Sequence, residues 1–274
     1  MADAYRLEGR TALVTGAGSG IGRALAAALA ARGCHLALAD LDADRLDETA
    51  AALPQGRART SRHVIDVADR DAVARLPEAV AAVHGGLDLL VNNAGVAIGG
   101  TFEQASEADF EWLFEINFWG TVRMTRAFLP LLRASADARI VNLSSIFGII
   151  APMGQTAYSA SKFAVRGFSE ALRHELEEEG ARVGVSVVHP GGVATSIAQR
   201  ARLPAGVAPD VIEARRRRMN AALRMPPPRA AALIVAGIER RRPRILVGGD
   251  ARFAALLERL APLGYWRVLR RYFV

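Results

Sequence analysis

The stretch TALVTGAGSGIGRALAAALA, residues 11–30, joins an apolar run to a glycine-rich turn and then to a segment whose apolar residues are three and four apart. The apolar run predicts a buried strand, and the spacing predicts a helix. Four glycines, at every second position from 16 to 22, leave the turn without obstructing side chains. Because the amino end of a helix also presents unpaired N–H donors, this turn is suited to holding a pyrophosphate.

The rest of the chain repeats this alternation of strand and helix. Besides residues 11–16, apolar runs predict six further strands, at residues 35–40, 61–67, 87–95, 138–145, 182–191 and 244–249. The helical spacing between them indicates βαβ units. We therefore predict an α/β fold with a doubly wound, seven-stranded parallel sheet in a three-layer α/β/α sandwich.

We expect the sheet and its helices to form a single domain over residues 1–250. Within it, the irregular segment 196–228 follows the sixth strand and is interpreted as a substrate lid. Residues 251–274 predict an amphipathic helical tail that is broken at Pro262. We expect this tail to pack on a neighbouring subunit, with a cover over the substrate mouth and an anionic membrane as the next alternatives.

Composition limits the class of protein. Of 274 residues, 51% are hydrophobic and 23% are charged, which is typical of a globular chain with a sizeable core. No run of 18 apolar residues is present to predict a membrane span, and the opening residues do not resemble a secretory signal. A single cysteine, Cys34, excludes an intramolecular disulfide and fits a reducing cytoplasm, where we expect the protein to reside.

Positive charge is concentrated near the carboxyl end. Residues 210–271 hold 15 arginines and 5 acids, a local charge of +10, which leaves −3 for the remainder of a chain with net charge +7. An acidic substrate such as a thioester carrier, an anionic membrane, nucleic acid and a solvated basic face are all compatible with this excess. The solvated face is favoured. No nucleic-acid partner is expected, because no aromatics interleave with the arginine run 215–218.

The end of the second strand predicts which dinucleotide is bound. Asp40 follows Gly22 by 18 residues, about where a carboxylate would accept hydrogen bonds from the adenosine ribose hydroxyls. The same charge would repel a 2′-phosphate, and neither Ser19 nor Leu41 supplies a compensating cation. The sequence therefore favours NAD over NADP.

One residue type is used only once. The chain has 34 arginines and a single lysine, Lys162, which follows Tyr158 by four positions at the start of a long helical pattern. This spacing places both side chains on one helix face, about 6 Å apart along the axis. A compact ammonium beside a phenol is expected to lower the phenol's pKa from its usual value of about 10.

These patterns together resemble the classical short-chain dehydrogenase/reductase family over roughly residues 8–200. The motifs that carry the resemblance are TGAGSGIG, NNAG, the asparagine of EINFWG, an SS pair thirteen residues before YxxxK, and HPGGVAT. The resemblance implies that Tyr158 is the catalytic acid/base and that Lys162 holds the nicotinamide ribose. It further implies that Ser145 hydrogen-bonds the substrate oxygen, with the Ser144 side chain pointing the other way. Asn117 would complete a proton relay to solvent.

The resemblance also implies a dinucleotide-binding site. Its expected residues are Gly16, Gly18, Ser19, Gly20, Ile21, Gly22, Asp40, Asp66, Val67, Asn93, Ala94, Gly95, Tyr158, Lys162, Pro190, Gly191, Val193 and Thr195. The Asn93 side chain is expected to tie neighbouring strands together as well. No metal is expected, and His63 and His189 are interpreted as hydrogen-bonded core residues.

The expected function is NAD(H)-dependent interconversion of a secondary alcohol and a ketone. An apolar substrate is favoured because segments 96–102 and 147–156 are mostly apolar. The alternatives are an NADPH-dependent 3-oxoacyl-carrier reductase and a non-catalytic nucleotide-sensing protein. The resemblance implies a homodimer or homotetramer built on the helices after the fourth and fifth strands.

Overall fold

All seven predicted strands form in the computed structural model, which describes residues 4–54, 58–203, 213, 217 and 223–273. The strands are β1 Thr11–Thr15, β2 His35–Asp40, β3 Thr60–Val64, β4 Leu89–Asn92, β5 Ala138–Leu143, β6 Val183–Pro190 and β7 Arg244–Val247. Within the described residues they make one parallel sheet with the order β3-β2-β1-β4-β5-β6-β7. The predicted fold class is confirmed.

Helices connect the strands and cover the sheet. They are α1 Gly20–Ala30, α2 Ala43–Ala51, α3 Arg70–His84, α4 Glu107–Phe114, α5 Gly120–Ala134, α6 Thr156–Glu178, α7 Pro227–Glu239, α8 Gly249–Leu260 and α9 Tyr265–Phe273. A π-helical turn, Glu115–Trp119, lies between α4 and α5, and a short 3₁₀ turn, Ile146–Gly148, follows β5. Among the described helices, none is both long and apolar enough to cross a bilayer.

Two apolar cores lie on opposite faces of the sheet. One contains Leu25 of α1 and Ile234 of α7, and the other contains Val73 of α3, Phe128 of α5 and Leu176 of α6. The strands contribute to both cores because successive strand residues point to opposite faces. Burial on both faces explains why the central strands are almost continuously apolar, whereas the edge strand β3 is mostly polar and partly exposed.

The strand order locates the position at which a ligand would bind. From β1 the chain builds outward through β2 and β3, then returns to β4 beside β1 and builds outward in the other direction. The helices that leave β1 and β4 therefore diverge, which opens a crevice at the carboxyl ends of these strands. The glycine turn follows β1, and Asn93 to Gly95 follow β4, so both predicted motifs border this crevice.

About half of the predicted lid, residues 196–228, lies outside the described residues. Its described start is attached to the loop after β4, since Arg202 N donates to Ala97 O and Gly99 N donates to Arg202 O, each at 3.0 Å. The Arg202 guanidinium lies 3.5 Å from the centre of the Trp112 ring. This start of the segment is therefore held against the loop after β4 by backbone and side-chain contacts.

The tail forms two helices, α8 and α9, with the predicted break at Pro262 confirmed. Tyr265 Oη accepts a hydrogen bond from Ala151 N at 3.1 Å. Leu269 is buried in a cluster with Ile149 and Ile150. One side of the tail therefore packs on the loop that follows β5 in its own chain.

Candidate active site

The glycine turn brings the backbone close to the space above β1. Gly16 has φ +65°, a conformation that favours glycine. A Cβ on Gly22 would overlap the Gly16 carbonyl oxygen, so α1 begins against the turn with no room for a side chain. The cradle that a pyrophosphate requires is therefore present, because side chains are absent where its phosphates would approach the backbone.

Asp40 closes this cradle at the end of β2. Its Oδ2 accepts from Gly18 N at 2.8 Å, and its Oδ1 accepts from Asp42 N at 3.1 Å. A carboxylate can accept about four hydrogen bonds. Asp40 is half-buried and retains acceptor capacity for ribose hydroxyls, so its position fits the predicted role.

A cation that sequence reasoning missed lies beside the same turn. A Cβ on Gly18 would be 2.9 Å from Arg45 Cβ, so the first turn of α2 borders the predicted ribose position. Arg45 Nε forms an ion pair with Asp42 Oδ2 at 3.0 Å. Only the packing of α2 against the turn reveals this proximity, because Arg45 lies five residues beyond Asp40 in a different element.

The turn after β4 is joined to β1 by side-chain hydrogen bonds. Asn93 N and Ala94 N donate to Thr15 Oγ1 at 2.9 and 3.0 Å, and Asn93 Nδ2 donates to Thr15 O at 2.9 Å. The expectation that Asn93 ties neighbouring strands together is confirmed. Gly95 of the same turn lies beside α6, since a Cβ on it would be 3.5 Å from Lys162 Nζ.

Asp66 and Val67 follow β3 at the same edge of the sheet. The Asp66 side chain is exposed and its Oδ1 accepts from Ala68 N at 2.9 Å. Val67 is buried and packs on Gly120 of α5. Asp66 can therefore offer acceptors to a ligand, whereas the Val67 side chain belongs to the core.

The proposed catalytic hydroxyls meet at the end of β5. The Ser145 side chain is a hydrogen-bond partner of the Tyr158 hydroxyl. Ser145 Oγ also accepts from Phe147 N at 3.1 Å, which fixes its direction. Ser144 Oγ donates to Lys162 O at 2.8 Å, so its side chain points the other way, as expected.

Lys162 lies buried behind Tyr158. Its Nζ donates to Leu143 O at 3.1 Å and lies 5.6 Å from the centre of the Tyr158 ring. Burial lowers the pKa of the Lys162 ammonium to about 8. The lysine is thus in the expected place, on the same helix face as the tyrosine and away from bulk solvent.

The expected lowering of the Tyr158 pKa is wrong for the protein as it stands in this structure. Burial raises the pKa of Tyr158 to about 12, and the hydrogen bond with Ser145 offsets only part of this effect. The physical reason is desolvation, which disfavours both the phenolate and the ammonium, while the Lys162 ammonium is directed to the Leu143 carbonyl.

Asn117 lies in the π-helical turn between α4 and α5. Its Oδ1 accepts from Val96 N at 2.8 Å, and its Nδ2 donates to Val96 O at 3.0 Å and to Ser161 Oγ at 3.2 Å. π-helical turns are frequent at functional sites. This one holds the loop after β4 beside α6, and no relay is needed to explain the contacts of the Asn117 side chain.

The loop after β6 completes the crevice, and a second residue that sequence reasoning missed holds it. A Cβ on Gly20 would be 3.1 Å from Thr195 Cγ2, so this loop meets the glycine turn. Asp250, at the start of α8, accepts from Gly192 N through Oδ2 at 2.6 Å. A Cβ on Gly191 would overlap the Asp250 carboxylate. An aspartate directly after the two glycines that follow β7 was the only sequence signal.

Comparison with known proteins identifies the family. The family model described as short chain dehydrogenase matches residues 10–205, which include the glycine turn, the Ser145–Tyr158–Lys162 group and the loop after β6. The chain belongs to the short-chain dehydrogenase family.

Individual relatives cover between 71% and 96% of this short-chain dehydrogenase. The putative oxidoreductase SadH of Mycobacterium tuberculosis is 42% identical over 265 residues, which are 96% of this chain and 94% of that protein. A short-chain dehydrogenase from Burkholderia phymatum, solved in complex with NAD, has a TM-score of 0.82 and 31% identity, with 94% of this chain and 95% of that chain covered. The 3-oxoacyl-[acyl-carrier-protein] reductase FabG of Thermotoga maritima is 32% identical, over 71% of this chain and 78% of that protein.

His63 and His189 of this short-chain dehydrogenase differ in how their ring nitrogens are hydrogen-bonded. His63 Nε2 is hydrogen-bonded to Ser61 Oγ at 2.8 Å, as expected of a satisfied residue. His189 Nδ1 lies 2.9 Å from Ser145 O, but its buried Nε2 has no partner among the described residues. Burial lowers the pKa of His189 to about 4, so the ring is neutral at physiological pH. No cluster of three His, Cys, Asp or Glu side chains suited to a metal occurs in the part of the chain that the structure describes.

Proposed function

We propose that this protein is an NAD(H)-dependent dehydrogenase that interconverts a secondary alcohol and a ketone, with Tyr158 as the acid/base. The observation that carries the proposal is the contact between the Tyr158 and Ser145 hydroxyls, with the Lys162 ammonium buried behind them. This group lies at the carboxyl edge of the sheet that also carries the glycine cradle. The two hydroxyls can therefore act on one substrate oxygen beside a bound dinucleotide.

The chemistry of this group follows from its protonation. A bound dinucleotide supplies hydride chemistry. In reduction, Tyr158 Oη gives its proton to the oxygen of the carbonyl group while Ser145 Oγ hydrogen-bonds that oxygen. In oxidation, Tyr158 Oη takes the alcohol proton, and for this it must first be ionised. Since the pKa of Tyr158 is raised to about 12, oxidation should accelerate with increasing pH across the range in which the protein stays folded.

Lys162 and Asn117 support this pair of hydroxyls. An ammonium has three donors, and one of those on Lys162 is used by Leu143 O. The others are available to ribose hydroxyls, and a hydrogen-bonded ammonium next to the phenol would assist its ionisation. Asn117 keeps the loop after β4 in place through Val96, and we propose that it also completes a proton relay to solvent.

Replacement of Tyr158 with Phe tests the mechanism. Y158F should reduce kcat by several orders of magnitude, because no other described hydroxyl is paired with Ser145, while the affinity for NADH should change little. S145A should lower kcat less than Y158F does, because it removes only a hydrogen bond. Retained turnover in Y158F would refute the assignment of Tyr158. NADH binding without turnover of any alcohol or ketone by the unmodified protein would instead favour a nucleotide-sensing role.

The proposed cofactor is NAD, because the Asp40 carboxylate faces the cradle and would repel a 2′-phosphate. The Burkholderia relative was solved with NAD, which agrees with this choice. D40A should strengthen NADPH binding relative to NADH binding by about fivefold or more, since like charges placed together cost roughly a kcal/mol or more.

An NADPH-dependent 3-oxoacyl-carrier reductase is the second candidate. Arg45 beside Gly18 is the observation that favours it, because release from Asp42 would place a cation near a 2′-phosphate. Similarity to a FabG reductase points in the same direction. Tighter binding of NADPH than of NADH, abolished by R45Q, would establish this candidate in place of the first.

The proposed substrate is apolar around its reacting carbon. Tyr158 packs in a cluster that includes Ile98, Phe110 and Phe114, and the Phe147 ring meets the Tyr158 ring edge-on at 6.2 Å. A panel of secondary alcohols with NAD should show kcat/KM increasing with aliphatic length. A preference for polyols over aliphatic alcohols would contradict this part of the proposal.

We also propose a homodimer or homotetramer in the cytoplasm. Trp119, just before α5, and Phe163 of α6 are exposed aromatics on the helices that the family resemblance assigns to subunit contacts. F163E should shift the protein to a smaller species in size-exclusion chromatography, whereas an unchanged elution volume would place the interface elsewhere.

A further inference from the structure

The outer side of the C-terminal tail carries large apolar side chains in contact with solvent. On α8 and just after it, they recur at intervals of three and four residues, and their exposed fractions increase along the chain. These residues are Phe253 at 51%, Leu256 at 55%, Leu260 at 74% and Leu263 at 98%. Contiguous exposed apolar side chains of this size mark an interaction surface rather than an ordinary solvent face.

This side is distinct from the one that packs on the protein. Ala251 and Ala254 of α8 and Leu269 of α9 are buried. The tail is therefore already anchored to its own chain, and the exposed leucines are not required to hold it there. They are free to contact a partner from outside the described residues.

Arginines flank the apolar residues, and the exposed acid of α8, Asp250, is already hydrogen-bonded to Gly192 N. Among residues 251–270, which the structure describes in full, four arginines are exposed and no exposed acid occurs; the arginines are Arg252, Arg259, Arg267 and Arg270. Glu258 is half-buried and interacts electrostatically with Arg244. We call these four arginines, together with Phe253, Leu256, Leu260 and Leu263, the tail face.

We propose that the tail face binds the surface of an anionic lipid bilayer. Leucine and phenylalanine side chains would enter the boundary between headgroups and acyl chains, while the arginines pair with lipid phosphates. Neither α8 nor α9 crosses the bilayer, since they are helices of 12 and 9 residues that lie on the protein. The protein would thus be held at the membrane surface.

Charge favours lipid over a second copy of this chain. In a symmetric contact the tail face would meet itself, so its four arginines would face like charges, and the carboxylate of the nearby Asp250 is already bound to Gly192 N. An anionic bilayer supplies the opposite charge over the whole face. Binding should therefore depend on anionic lipid and weaken with salt.

Vesicle flotation of the full-length protein tests the proposal. Vesicles of phosphatidylcholine alone are compared with vesicles that also contain phosphatidylglycerol, at low and high salt. L260S/L263S should lower the partition coefficient about tenfold or more, because both side chains lose apolar contact. R259Q/R267Q should lower it roughly 25-fold at low salt, from about fivefold for each arginine.

Two single-substitution controls carry the same kinds of change elsewhere. V64S alters an exposed apolar side chain on the edge strand β3, and R75Q removes an exposed arginine of α3. Both should float like the unmodified protein, and all variants should bind NADH normally. Equal flotation of tail-face variants and controls, or equal binding to both kinds of vesicle, would overturn the proposal. It would also be overturned if L260S/L263S changed the oligomeric state while the unmodified protein bound no vesicles.

Discussion

Asp250 is predicted to position the loop that the family resemblance assigns to the nicotinamide end of the cofactor. Its carboxylate accepts from Gly192 N at 2.6 Å and lies against Gly191, within the segment between Pro190 and Thr195. Asp250 lies just after the carboxyl end of β7, 58 residues from Gly192 in the sequence. Removing it should loosen one end of the cofactor site and leave the glycine cradle unchanged.

The expected loss of NADH affinity follows from the single charge-assisted hydrogen bond between Gly192 N and the Asp250 carboxylate. Such bonds contribute about 1.5–3 kcal/mol when buried, and because Asp250 is exposed we take about 1 kcal/mol. D250A should therefore weaken NADH binding roughly fivefold. D250N keeps an acceptor oxygen without the charge, so its effect should be smaller.

Calorimetry with two ligands separates positioning from general destabilisation. NADH contains the nicotinamide ring, whereas ADP-ribose lacks it but fills the same cradle. D250A should weaken NADH binding and leave ADP-ribose binding unchanged. The control E239Q, which alters a carboxylate at the last residue of α7, should affect neither. Equal weakening of both ligands by D250A, or of neither, would refute the reasoning.

Three further predictions concern buried groups. Burial lowers the pKa of both His84 and His189 to about 4, below the unfolded value of 6.5, so the folded state resists their protonation. Their contribution to the free energy of unfolding is present above pH 6.5 and is lost as the pH falls towards 4. The loss is at most roughly 3 kcal/mol for each histidine. The free energy of unfolding of H84Q in urea should therefore depend less on pH than that of the unmodified protein. K162R should lower both NADH affinity and kcat by more than about tenfold, because Lys162 is buried and the planar guanidinium of arginine is wider than the ammonium it would replace. Wild-type kinetics of K162R would contradict this. G22A should abolish NADH binding and lower the Tm, measured by calorimetry, because its Cβ would overlap the Gly16 carbonyl, and an unchanged Tm would show that α1 can shift.

Much of the site was predictable because its determinants are local in sequence. The glycine turn, Asp40 at the end of β2, and the spacing of Tyr158 and Lys162 each depend on a few neighbouring residues and on the periods of strands and helices. The doubly wound parallel sheet follows from the repeated βαβ units, whereas the order of its strands, with β4 returning beside β1, is seen in the structure. The identity of the cofactor and the substrate stays at the level of proposals, and about half of the predicted lid lies outside the described residues.

The sequence by itself determined the fold and the residues that border the crevice, since periodicity and turn chemistry act over short stretches of chain. Only the tertiary structure decided the contacts of Arg45 and Asp250, the raised pKa of Tyr158, and which side of the tail is exposed. Each of these depends on groups that are distant in sequence and on how completely water is excluded around them. Desolvation and long-range packing are properties of the assembled molecule, and no local pattern encodes them.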